Sequence, residues 1–130
     1  MTRHSLVRDA DAPAAARALL DDLLAGKDMG RRAGDAALVV SELVTNSVLH
    51  GEAAGETPIE VGIEFSDGEL CVEVCDHGGG RAHESVQAAP STTGAGGMGL
   101  AIVGALADAW GVQGNGETCV WARFEGRART

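Results

Sequence analysis

Hydrophobic residues recur along the chain with two different periods, and the changes of period divide it into elements. After a short run at 3–8 (RHSLVR) that reads as an edge strand, Asp11 and Pro13 carry the marks of a helix start. Asp is a good N-cap, and a proline in the first turn gives up an N–H that would have no partner anyway. Ala16, Leu19, Leu20, Leu23 and Leu24 then fall on one stripe, and Gly26 stops the helix. A second helix is predicted from about Arg31 to His50, with Ala33, Ala36, Ala37, Val40, Val44, Ser47 and Val48 facing the core. Gly51 ends it, and 51–58 reads as a loop.

Residues 59–76 switch to a period of two. Asp67-Gly68 lies between two alternating runs, the signature of a type I′ hairpin turn. That turn sets the register: Ser66 faces Glu69, Phe65 faces Leu70, Ile63 faces Val72, and Val61 faces Val74. All large apolar side chains then share one face, while Glu60, Gly62, Glu64, Cys71, Glu73 and Cys75 share the other. The next pair on the apolar face is Ile59 with Asp76. A carboxylate thus ends the hydrophobic face, where burial without a partner would be costly. The glycine-rich stretch 77–97 reads as a loop, long enough to be functional. A third helix is expected from about Met98 to Trp110, with Leu100, Val103, Leu106 and Ala107 on its core stripe. Two closing strands are expected at 111–113 and 117–125, turning at Asn115-Gly116.

Composition narrows the classes. The chain has 130 residues, 45% of them apolar, as expected of one folded domain spanning 1–130. No apolar run approaches the ~18–20 residues that span a bilayer, and the N-terminus lacks the apolar core of a secretory signal. Ten Lys+Arg against nineteen Asp+Glu give a net charge of -9. Nucleic acids and anionic membranes are therefore poor partners. A phosphate ligand would have to rely on backbone N–H groups and a divalent cation. Three cysteines are an odd number, so no disulfide framework is expected and a reducing cytoplasm is favoured. Cys71 and Cys75 would lie about 13 Å apart along an extended strand, and Cys119 reads as an ordinary strand residue.

Three segments carry candidate chemistry. Glu42, Asn46 and His50 recur every four residues, forming a polar stripe on the second helix. Asp76-His77-Gly78-Gly79-Gly80 joins a strand-ending carboxylate to glycines. Gly94-Ala-Gly96-Gly97-Met98-Gly99-Leu100 precedes an amphipathic helix, where an anion can approach the backbone closely. This last segment spells G-x-G-x-x-G, but the residues before it (AAPSTT) are not a strand and too little chain follows for a dinucleotide-binding domain.

In order and spacing the three segments resemble the ATP-binding domain shared by DNA gyrase, heat-shock chaperones, histidine kinases and mismatch-repair proteins, the GHKL superfamily with the Bergerat fold. Glu42–Asn46 is similar to its N box, Asp76-x-Gly78-x-Gly80 to its G1 box, and Gly97-x-Gly99-Leu100 to its G2 box. SELVTNSVLHG looks like the bacterial anti-sigma-factor serine kinases. The resemblance covers about 12–125. It implies an α+β fold: a two-layer α/β sandwich with a mixed or antiparallel sheet packed on three helices. It further implies ATP and Mg²⁺ as cofactors. Asp76 would accept from the adenine amino group, Asn46 would ligate Mg²⁺, and Gly78 and Gly80 would lie along the purine. Gly97, Gly99 and Leu100 would border the phosphates, with Thr118 near the adenine. Glu42 would be the catalytic residue, orienting or deprotonating a serine hydroxyl on a small antagonist protein. A sigma factor and that antagonist are the implied partners, and a homodimer through the edge near 3–8 is possible by analogy. Met98 stands where many such kinases carry arginine, with Arg81 or Arg123 as replacement cations. That departure keeps open a second reading, a nucleotide-dependent protein-binding module with weak catalysis.

Overall fold

The structure, a computed structural model, describes residues 1–50, 58–76, 95–114 and 118–126. Its elements are β1 (Thr2–Leu6), α1 (Ala12–Leu24), α2 (Arg32–His50), β2 (Ile59–Ser66), β3 (Glu69–Asp76), α3 (Ala95–Leu106), β4 (Ala109–Gly114) and β5 (Thr118–Glu125). The strands form one sheet in the order β1-β2-β3-β5-β4, with every pairing antiparallel. Helices cover one face of it. The fold is therefore the expected α+β sandwich, with an antiparallel rather than mixed sheet among the described residues.

The hairpin has the predicted register throughout, from Ser66↔Glu69 at the turn to Ile59↔Asp76 at the open end. Asp67 and Gly68 both have positive φ, 55° and 77°, as a type I′ turn requires. Val61, Ile63, Leu70, Val72 and Val74 are buried against the helices, and β5 adds Val120, Ala122 and Phe124. Each fully buried side chain of this size contributes about 1.5–3 kcal/mol.

Helix boundaries follow the predicted ones closely, with three corrections. Asp11 occupies the N-cap position of α1 but makes no side-chain capping bond. Instead the Asp9 carboxylate accepts the Asp11 N–H at 2.9 Å. On α2 the buried stripe includes Val39 and Leu43, which the spacing argument left out, while Ala33, Ala37 and Val48 are only partly buried. The third helix begins at Ala95, so Gly96 and Gly97 lie within it rather than ahead of it, and it ends at Leu106. Trp110 belongs to β4, opposite Ala122. The helix gives way there because Asp108 turns the chain: its N–H donates to the Arg123 carbonyl at 2.9 Å.

The cysteine expectation is overturned. Cys75 and Cys119 are Cα partners on β3 and β5 and form a disulfide across a sequence separation of 44. The odd count left room for one bridge and one free thiol, Cys71. The argument for a reducing compartment drawn from that count falls with it.

Candidate functional site

The end of the β2–β3 hairpin places Asp76 on the apolar face of the sheet, where it is 1% exposed. Its Cα partner on β5 is Thr118, also buried. The last turns of α2 cross above them. Leu43, Asn46, Ser47, Val74, Asp76, Thr118 and Val120 line a cavity of about 10 Å³, enough for roughly one water molecule. Its lining mixes the apolar Leu43, Val74 and Val120 with the polar Asn46, Ser47, Asp76 and Thr118.

The cost of burying Asp76 is met by a cation. Arg8, in the connector after β1, forms an ion pair with it, Nη2 to Oδ1 at 2.6 Å, and Nη1 approaches Oδ2 at 3.3 Å. The Arg8 side chain is 6% exposed and that of Asp76 2%. Arg8 Nη1 also donates to the Ser47 carbonyl at 2.6 Å. Sequence reasoning missed Arg8, and placed Ser47 on the core face without a role at this site. The available signal was that a carboxylate on an apolar face demands a partner, in a chain with only ten Lys+Arg to supply one.

Of the predicted residues, the fold brings Asn46, Asp76 and Thr118 together at one cavity. Glu42 lies one turn before Asn46 on α2, half-buried, and is not among the lining residues. Gly97, Gly99 and Leu100 lie in the first turns of α3, and α3 packs on α2. Gly78, Gly80, His77, His83 and Arg81 lie outside the described residues, as do the side chains of His50, Met98 and Leu100. Arg123 is not near Asp76. It pairs with Glu69 at 2.9 Å opposite Cys71, near the hairpin turn.

Two other features are poor sites for an anionic ligand. A hollow of about 550 Å³ lies at the turn end of the hairpin, and Glu64, Asp67, Glu69 and Glu125 are among the residues that line it. Four carboxylates there would repel a polyphosphate. Glu73, Cys75 and Cys119 bring potential metal-ligating atoms within 4.8 Å of one another. The two sulfurs are bonded to each other and offer no thiolate.

The family model for the histidine kinase-like ATPase domain matches residues 3–124. This chain belongs to that family. A histidine kinase-like ATPase domain binds ATP, and the α+β sandwich described above is consistent with that fold. Two curated relatives are similar over a shorter stretch. The anti-sigma F factor of Clostridium botulinum (strain Eklund 17B / Type B) is 43% identical over 47 residues, covering 35% of this chain and 33% of that protein. The anti-sigma F factor of the Alaska E43 / Type E3 strain matches with the same identity and coverage. The matched stretch thus spans about a third of the length of these relatives. Among the described residues no helix is long and apolar enough to cross a membrane.

Proposed function

We propose that this chain is an ATP-binding regulator of the anti-sigma type, one domain over 1–130, that transfers the ATP γ-phosphate to a serine or threonine of a small antagonist protein. The observation carrying the reading is the buried Asp76 carboxylate, sharing a cavity with Asn46 of α2 and Thr118 of β5. An anionic carboxylate only accepts hydrogen bonds, which suits it to the 6-amino group of adenine. Thr118 can bond a second edge atom or a bridging water. A purine is far larger than the present cavity, so its entry requires the gap between α2 and β3–β5 to widen. Gly78 and Gly80, from the G1 box, would line the purine, and Gly97, Gly99 and Leu100 of α3 the phosphates.

Asn46 fits Mg²⁺. Its amide oxygen is a hard donor, and Mg²⁺ is commonly held by one or two protein oxygens with phosphate and water completing the shell. The cation would supply charge neutralisation of the phosphates. Glu42 is one helical turn away and, on this reading, takes the proton of the acceptor hydroxyl as its oxygen bonds to the γ-phosphorus and the bond to the β-phosphate oxygen breaks. General-base assistance of this kind is worth about 10²–10⁴-fold, with positioning supplying much of the rest.

The likeness to anti-sigma F factors supports a sigma factor and an antagonist protein as partners. A sigma-factor antagonist works where transcription occurs, in the cytoplasm. β1 lies at one end of the sheet order and offers an edge for a homodimer. A second reading, a nucleotide-dependent binding module with weak catalysis, is favoured by Met98 in the G2 box and by Glu42 lying off the cavity wall.

ATP titration with and without Mg²⁺ tests the site. Asp76→Asn is expected to lose most adenine recognition and Asn46→Ala the Mg²⁺ dependence. Wild-type affinity in both variants would remove the assignment. Label transfer from ATP to an antagonist separates the two readings: loss in Glu42→Ala supports the kinase, and transfer that persists refutes the role of Glu42.

A further inference from the structure

We propose that Arg8 is a positioning residue of the nucleotide pocket, one that sets its preference for a 6-amino over a 6-oxo purine. The inference rests on the nucleotide reading given above and adds to it a residue outside the three boxes.

Arg8 touches two of the three elements that build the cavity. It takes both carboxylate oxygens of Asp76 at the end of β3, and it donates to the Ser47 carbonyl of α2. Ser47 lies in the last turn of a helix that ends at His50. Carbonyls there lack an intrahelical donor, and a cation suits the negative end of the helix dipole. Asn46 is the residue immediately before it. One guanidinium thus fixes the distance between the turn that carries Asn46 and the carboxylate that faces it across the cavity.

The side of approach matters. In the sheet order β1-β2-β3-β5-β4, Arg8 follows β1, and Thr118 lies on β5. Asp76 is gripped from the β1 side, while the cavity opens over β3 and β5. The two-point grip of a planar guanidinium sets the plane of a carboxylate as a single point charge cannot. A carboxylate so held presents acceptors toward the cavity. A 6-amino purine meets it with a donor. A 6-oxo purine meets it with a second acceptor, and the mismatch is penalised in a buried site.

The test measures ATP and inosine triphosphate affinity for wild type, Arg8→Lys, Arg8→Met, Asp76→Asn and the double variant Arg8→Met/Asp76→Asn. In Arg8→Met the ratio of ATP to inosine triphosphate affinity is expected to fall by about tenfold or more. Arg8→Lys should fall between Arg8→Met and wild type. The double variant should discriminate no worse than Asp76→Asn alone, since Arg8 acts through Asp76. A wild-type ratio in Arg8→Met, with the circular dichroism spectrum unchanged, overturns the proposal. If Arg8→Met does not fold, Arg8→Lys decides alone: a reduced ratio supports the role and an unchanged ratio removes it. Wild-type protein that binds neither nucleotide overturns the nucleotide reading, and this proposal with it. Wild-type protein that binds ATP, with an unchanged ratio in the variants, overturns only the role of Arg8.

Discussion

Arg32 and Asp108 are joined at 2.7 Å across 76 positions of sequence. The same Asp108 oxygen accepts the Glu125 N–H at 2.7 Å. One carboxylate therefore ties the first turn of α2 to the start of β4 and the end of β5. Burial works to raise the Asp108 pKa, but the Glu125 N–H and the Arg32 guanidinium outweigh it and hold the carboxyl below its ordinary value. A lowered carboxyl stabilises the fold above its unfolded pKa, near 3.9, and that contribution fades as pH falls through the lower folded value. The Asp108 side chain is 41% exposed, so the ion pair is worth at most about 1 kcal/mol. Asp108→Asn should lower the denaturant midpoint modestly at pH 7 and leave it nearly unchanged near pH 2, as paired unfolding curves would read.

Cys71 should be a sluggish thiol. Partial burial raises its pKa, and the neighbouring Glu69 and Glu64 raise it further against the weaker pull of Arg123. Thiolate is the reactive form, so alkylation by iodoacetamide at pH 8 should be slower than that of a small free thiol. Glu69→Gln removes one of the repelling charges and also the partner of Arg123. Faster labelling of that variant is expected.

The bridge between Cys75 and Cys119 closes a long loop, its ends 44 positions apart in sequence. Bonds of this kind typically stabilise by about 2–4 kcal/mol. Cys75→Ser or Cys119→Ser should lower the melting temperature, and a reductant should lower that of wild type but not of the variants. Alkylation of the denatured protein followed by mass spectrometry gives the direct check. One adduct is expected without reductant and three with it, from three cysteines of which one is free.

Legibility in the sequence followed the range of the interactions. The hairpin was readable to the residue because Asp67-Gly68 and strict alternation are local, and Asp76 could be placed on the apolar face from that register alone. The pairing of Asn46 with Asp76 rests on family motifs, and in the fold both line one small cavity. What escaped was long-range. β5 inserts between β3 and β4, and only that insertion puts Cys119 beside Cys75 and Thr118 beside Asp76. Arg8 reaches Asp76 across 68 positions, with no periodicity to announce it. Gly96 and Gly97 read as loop because glycine is a poor helix former, yet the structure carries them inside α3, a helix that packs on α2.

An outermost strand is ordinarily the segment a protein can best spare. Here it is not expendable, because the counter-charge for the buried acid Asp76 follows two residues after Leu6. Trimming the chain past position 8 would remove the guanidinium that pairs with Asp76, and breaking a buried pair costs about 3–5 kcal/mol, a large share of the stability of a typical domain. A protease that nicks the connector between β1 and α1 should therefore lower the melting temperature of the whole molecule.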